Sequence, residues 1–165
     1  MSFPTNPVIY VTGVSGSGKT TIGKLLSLKT ALPFFDADDF HPAANKEKMK
    51  AGHALTDDDR AQWLQRLNSL AVEQSKLEGA VIACSALKEK YRTVLAKGIA
   101  KPVWIFLNGE YDLIRQRMKQ RDHYMPVALL RSQFEDLEVP SSAFTVDIKN
   151  DPRKIVDLIL EYLKL

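Results

Sequence analysis

One short string constrains this chain more than anything else in it. Gly13-Val14-Ser15-Gly16-Ser17-Gly18-Lys19-Thr20 matches G-x-x-x-x-G-K-[ST] at every fixed position. Its surroundings fit as well. Val8-Ile9-Tyr10-Val11-Thr12 reads as a buried strand, and Ile22, Leu25 and Leu26 mark a helix that starts near Lys19. Strand, glycine-rich loop and helix in that order make a phosphate cradle. Glycine lets the backbone wrap closely, so that successive N–H groups face phosphate oxygens. The helix start adds its positive dipole end. Gly13, Ser15, Gly16, Ser17 and Gly18 are the candidate loop contacts, with Lys19, Thr20 and Thr21 at the helix start. Lys19 is expected to reach the β- and γ-phosphates, and the Thr20 hydroxyl to ligate Mg²⁺. The string specifies a nucleoside triphosphate with magnesium. It leaves open what receives the phosphoryl group, and whether the chain is a kinase or a switch.

The rest of the chain alternates β-rich runs with helical patterns. Pro33-Phe34-Phe35-Asp36 reads as a second strand, Ala80-Val81-Ile82-Ala83-Cys84 as a third, Val103-Trp104-Ile105-Phe106-Leu107 as a fourth and Phe144-Thr145-Val146-Asp147-Ile148 as a fifth. Residues 37–55 read as irregular or short-helical. Trp63, Leu64, Leu67, Leu70, Ala71 and Leu77 share one helical face, and Thr56 with Asp59 forms a capping box in which Asp replaces the usual Glu. A basic helix is expected over about 111–121, another with Val127, Leu130, Phe134 and Leu137 on one face, and a last one from about Pro152. Strands separated by helices of this length predict a three-layer α/β fold, a five-stranded parallel sheet with helices on both faces. In such sheets ligands bind beyond the carboxyl ends of the strands.

Composition bounds the partners. At 165 residues, 45% hydrophobic and 26% charged, the chain reads as a single domain over 1–165 with a core of its own. The net charge of +3 suits an anionic ligand and is too small to point to nucleic acid. The single cysteine, Cys84, excludes a disulfide framework and a cysteine-rich zinc site, and is expected to be core packing. Trp63 and Trp104 sit in apolar patterns and are also read as core. No targeting segment and no membrane-length apolar run is visible, so a cytoplasmic protein without a membrane partner is expected.

The acidic turn after the second strand carries the next chemistry. If the extended run continues, the carboxylates of Asp36 and Asp38 point the same way. Asp36 is assigned to magnesium, through water, and Asp38 to the base that accepts the proton of an attacking hydroxyl. A solvated turn with Asp39 as a helix cap is the plainer alternative. Beyond the turn, Lys88, Tyr91 and Arg92 at i, i+3 and i+4 put two cations and a phenol on one helical face, either an anion clamp or an ordinary basic face. Arg115, Arg117, Lys119 and Arg121 crowd the basic helix, with Arg117 and Arg121 one turn apart.

Several strings in order along nearly the whole chain resemble the bacterial-type gluconate kinases, small P-loop kinases related in fold to shikimate and nucleoside monophosphate kinases. They are the phosphate loop, Asp36-Ala37-Asp38-Asp39-Phe40-His41-Pro42, the stretch 45–49, and the stretch 52–64 with Asp57-Asp58-Asp59-Arg60 and Trp63-Leu64. Cys84-Ser85-Ala86-Leu87-Lys88 with Tyr91-Arg92 is the most specific, and Gln133-Phe134-Glu135-Asp136-Leu137-Glu138 follows before Pro140. Asp39 stands where relatives often carry an apolar residue, and Thr56 where Asn is common.

The resemblance implies ATP-dependent phosphorylation of D-gluconate to 6-phospho-D-gluconate, with Mg²⁺, by a protein that can be a homodimer. A sugar acid needs a cation for its carboxylate and fixed groups for its hydroxyls. Asp38, His41, Arg60, Lys88 and Arg92 are the implied substrate contacts, and residues 37–60 the substrate-binding insertion. Residues of about 115–135 look like the lid of this superfamily, with Arg117 and Arg121 joining Lys19 and Asp38 in catalysis by neutralising the transferred phosphoryl. His123 in His123-Tyr124-Met125-Pro126 is a lid-edge candidate, and Lys149-Asn150-Asp151-Pro152 is expected near the adenine. A kinase for shikimate or a nucleotide and a non-catalytic nucleotide switch are the competing readings.

Overall fold

A computed structural model describes residues 4–121 and 126–165. The expected His123 segment lies outside the described residues, apart from Pro126. The order is β1 (Val8–Thr12), α1 (Lys19–Thr30), β2 (Phe34–Asp36), a 3₁₀ turn (Ala37–Phe40), α2 (Ala43–Lys50), α3 (Asp57–Leu77), β3 (Ala80–Ala83), α4 (Glu89–Ala96), β4 (Val103–Asn108), α5 (Tyr111–Gln120), α6 (Ala128–Asp136), β5 (Phe144–Asp147) and α7 (Pro152–Leu163). The strands form one sheet in the order β2-β3-β1-β4-β5, and every pairing is parallel. β1 is central: Ile9 stands beside Val81 on one side and Val103 on the other. The chain leaves β1 toward β2 and β3, then returns across it to β4 and β5. The phosphate loop therefore sits at the switch point, where such sheets bind ligands.

Strand alternation divides the core into two layers. Ile9 and Val11 face a layer with Ile22 and Leu26 of α1, Ile114 and Met118 of α5, and Ile155 and Ile159 of α7. Val8 and Tyr10 face the other, with Trp63, Leu67 and Ala71 of α3 and Tyr91 and Leu95 of α4. The polar atoms carried into these layers are satisfied. Tyr10 Oη donates to the Leu95 carbonyl at 2.8 Å, and Thr12 Oγ1 to the Ile105 carbonyl at 2.9 Å. Removing a fully buried side chain such as Leu67 would cost about 2–5 kcal/mol through lost contacts and a residual cavity.

The caps explain where helices begin. Thr56 Oγ1 accepts the Asp59 N–H at 3.1 Å while Asp59 Oδ2 accepts the Thr56 N–H at 2.8 Å, so the shorter Asp closes the box. Asp151 accepts the Arg153 N–H at 2.9 Å, with Pro152 opening α7. One sequence expectation changes. Leu77, the last residue of α3, is 63% exposed and does not join the buried face that its spacing gave it with Trp63, Leu64 and Leu67. The expected face of α6 and its flanks packs on the core: Leu130 is buried, Val127, Phe134 and Leu137 are half-buried against the same cluster, and Leu129 and Gln133 are buried as well. Among the described residues no helix is long and apolar enough to cross a membrane.

Candidate active site

The loop between β1 and α1 is built for close approach. Gly16 has φ +78°, and a Cβ there would lie 2.6 Å from Met118 Cγ, so α5 packs directly onto the loop. Gly18, at φ +97°, is the left-handed residue that turns the chain into α1. Lys19 folds back over the loop and its Nζ donates to the Val14 carbonyl at 2.9 Å. Burial pushes the Lys19 pKa down; the Asp38, Cys84 and Asp36 side chains oppose that shift. Thr20 Oγ1 donates to Asp36 Oδ2 at 2.8 Å, and Asp36 Oδ1 accepts the Asp38 N–H at 3.0 Å. The end of β2 and the start of α1 are thereby joined. Ser17 Oγ, inside the loop, is buried without a hydrogen-bond partner among the described residues.

Two clefts meet at this loop. Gly16, Gly18, Thr20, Thr21, Asp36, Arg117 and Arg121 line the first, together with Ser15, Lys19 and Asp38. It continues past Ser17, Arg117 and Arg121 to Asn150 and Pro152, the segment expected near the base. Arg117 is anchored there by its Nη2, which donates to the Ile148 carbonyl at 2.9 Å. The second cleft is lined by His41, Arg60, Trp63, Ser85 and Gln133, again together with Ser15, Lys19 and Asp38. Ser15, Lys19 and Asp38 thus belong to both. Gly13 lies beneath the loop: a Cβ there would meet Ser17 Oγ at 2.7 Å.

The second cleft is polar and pre-arranged. His41 lies flat on Trp63, ring centres 4.2 Å apart, and Trp63 Nε1 donates to the Ala37 carbonyl at 2.7 Å. The indole is core, as expected, and also the floor under His41. Asn45 Nδ2 lies 3.3 Å from His41 Nδ1 and donates to the Asp59 carbonyl at 2.8 Å. The amide NH₂ makes Nδ1 the acceptor and leaves the proton on Nε2. Burial, then the Arg60 and Lys46 charges, lower the His41 pKa to about 4, so the ring is neutral at pH 7. Arg60 Nη1 donates to Tyr91 Oη at 2.9 Å, and Arg60 Nη2 stands 3.8 Å from Asp136. Tyr91 donates in turn to Asp57, which also pairs with Lys90; these two partners hold the Asp57 carboxyl well below the usual carboxylate range.

The structure divides the cationic set that spacing had grouped together. Lys88 shares Asp136 with Arg60, standing 4.0 Å from it and 3.5 Å from Asp57. Arg92 does not join it. Its side chain is 5% exposed, and it donates to the Ala86 carbonyl at 2.7 Å, the Glu138 carbonyl at 2.8 Å and Glu89 Oε2 at 3.0 Å. A single step along α4 carries Tyr91 and Arg92 to different surroundings, because adjacent residues on a helix point about 100° apart. Arg92 instead joins the 84–88 string to the 133–138 string, and Glu138 completes the joint by accepting the Glu89 N–H at 3.0 Å. Cys84 is buried, and burial pushes its thiol up to about 12, as an inert core residue requires.

Gln133 was not singled out for a role by the sequence, yet its Oε1 accepts the Ser15 N–H at 2.6 Å. The signal was present: a glutamine on the apolar stripe of α6. Asp136, Asp57 and Asn45, which fix the cations and the histidine, carried no signal of that kind beyond lying inside the family strings.

A phosphate loop at the switch point of a parallel sheet, with a second polar cleft sharing its lysine, defines a P-loop kinase for a small acceptor. The family model described as Shikimate kinase matches residues 15–163. The thermosensitive gluconokinase of Escherichia coli is 44% identical over 151 residues, covering 88% of this chain and 81% of that one. Two solved structures are 36% identical: a sugar kinase from Janibacter sp., with a TM-score of 0.91 over 96% of this chain and 95% of that one, and a gluconokinase from Sinorhizobium meliloti, with a TM-score of 0.89 over 99% and 94%. The chain belongs to the gluconokinase family, within the shikimate kinase group of P-loop kinases.

Proposed function

We propose that this chain transfers the γ-phosphoryl group of ATP to the C6 hydroxyl of D-gluconate, giving 6-phospho-D-gluconate and ADP. The observation that supports this reading is the sharing of Ser15, Lys19 and Asp38 between the two clefts, an arrangement that suits a donor phosphate in one and an acceptor hydroxyl in the other. Family membership supports gluconate over other acceptors.

The residues divide the work. Backbone N–H groups of the loop and Lys19 hold the phosphates. Asp38 accepts the proton of the attacking hydroxyl. Arg117 and Arg121, which line the donor cleft, neutralise charge that spreads over the transferred oxygens. Arg60 and Lys88 supply the cations for the sugar-acid carboxylate, and the neutral His41 offers Nε2–H to a hydroxyl. The segment of about 115–135 serves as a lid that excludes water from the transfer.

Magnesium fits this donor set. Among the described residues no three His, Cys, Asp or Glu side chains group as a metal cage. Mg²⁺ is ordinarily held by one or two protein oxygens, with waters and substrate phosphates completing its shell. Thr20 and Asp36 would hold it in that way, and the ion would supply charge neutralisation on the β- and γ-phosphates.

The test is ADP release with ATP, magnesium and a panel of sugar acids, sugars, shikimate and nucleoside monophosphates. Gluconate-dependent release is expected. Turnover on shikimate or a nucleotide without gluconate would sink the reading, and no acceptor-dependent release at all would favour a switch.

A further inference from the structure

Helix α6 carries three different tasks on one stripe. Leu129, Gln133 and Asp136 stand at i, i+4 and i+7 and share a face. Leu129 packs with Met49 of α2 and with Leu55 in a small apolar cluster under the insertion. Asp136 stands 3.8 Å from Arg60 and 4.0 Å from Lys88. Between them Gln133, 9% exposed, lines the acceptor cleft and holds the Ser15 N–H at 2.6 Å. A buried carboxamide is retained where its hydrogen bond is made, and this one is made to the third residue of the phosphate loop.

We propose that Gln133 is a positioning residue of the transfer step: through the Ser15 N–H it sets the phosphate loop in register with the acceptor cleft. It rests on the gluconokinase reading only for the identity of the acceptor. The same face of α6 touches the insertion and, through Asp136, the acceptor cations, so the Gln133–Ser15 bond ties the loop to the element that the acceptor side holds in place. Effective transfer depends on the mutual placement of the two reactants, and an error of about 1 Å costs of order 10²-fold in rate.

Two variants separate this role from packing. Gln133→Met keeps volume and apolar contacts but removes the acceptor oxygen, and Gln133→Glu keeps an oxygen at the same reach. The readouts are kcat, the KM for ATP and the Ser15 amide proton resonance, the last recorded without substrates. Gln133→Met is expected to lower kcat by about 30- to 100-fold, to change the KM for ATP less than about threefold, and to move the Ser15 amide upfield. Gln133→Glu is expected to keep that resonance near its wild-type position. Unchanged kcat in Gln133→Met overturns the proposal, whatever its melting temperature. So does a loss of kcat with the Ser15 resonance unmoved, or a Ser15 resonance that Gln133→Glu fails to keep. If the wild-type protein prefers another acceptor, the gluconate reading fails, and the variants are compared with that acceptor instead.

Discussion

Thr20 Oγ1 donates to Asp36 Oδ2 across 2.8 Å, which brings a hydroxyl of the first turn of α1 and a strand-end carboxylate to the same point in the donor cleft. Asp36→Asn preserves the shape of this pair and removes its charge. The half-saturating Mg²⁺ concentration for ADP release is expected to rise by about 10- to 100-fold, with a much smaller loss of kcat once metal saturates. A magnesium titration of the variant checks this, and an unshifted curve would remove Asp36 from the metal site.

Lys19 and Asp38 border both clefts, and each is expected to act mainly in the transition state. Lys19→Ala should lower kcat by about 10²- to 10³-fold. Asp38→Asn should lower kcat far more than it weakens ATP binding. Initial rates together with calorimetric nucleotide binding separate the two quantities. An equal loss of both in Asp38→Asn would make Asp38 a nucleotide or metal residue rather than the base.

Lys88 and Arg92, four residues apart, should fail in opposite ways. Arg92→Ala strips a donor from the Ala86 and Glu138 carbonyls, and its cost is expected at roughly 2–4 kcal/mol of stability, with the KM for gluconate unchanged in the folded fraction. Lys88→Ala should leave unfolding almost untouched and raise the KM for gluconate about tenfold, the worth of one charge-assisted hydrogen bond. Denaturant unfolding and steady-state kinetics on the two variants check the division.

The buried imidazole predicts a pH dependence of stability. The folded-state pKa of His41, about 4, lies below its ordinary 6.5, so the unfolded chain binds the extra proton first. Stability is therefore lost as pH falls from 6.5 toward 4, by about 2 kcal/mol between pH 7 and 5. Asp57 and Asp59, whose carboxyls are held low chiefly by hydrogen bonds from Lys90 and Lys48, lose their contribution only below the ordinary aspartate pKa of 3.8. His41→Phe, which can keep the stacking on Trp63, should flatten the loss between pH 7 and 5 in urea unfolding. An unchanged loss would show that other groups carry it.

Local rules read the strands and caps well, because alternation, capping and the glycine pattern are short-range. The Thr56–Asp59 box and the Pro152 helix start were legible for that reason, and so was the phosphate loop. What spacing could not supply was the partner of a side chain. Arg92 and Lys88 look alike on a helical wheel, yet one is taken up by carbonyls of residues 86 and 138 and the other stands between the Asp57 and Asp136 carboxylates. Gln133 meets a residue 118 positions away, a contact that only the completed sheet creates. Leu77 shares the apolar face of α3 by spacing, yet at the last residue of the helix it is exposed.

The transfer itself is tested most directly by phosphorus NMR of the products formed from ATP, magnesium and D-gluconate. A phosphomonoester signal split into a triplet by the two C6 protons, growing in step with ADP, is the expected result. A doublet from an ester on a secondary carbon, or ATP consumed to inorganic phosphate with no ester signal, would contradict the assignment of this chain as a kinase acting at C6 of gluconate.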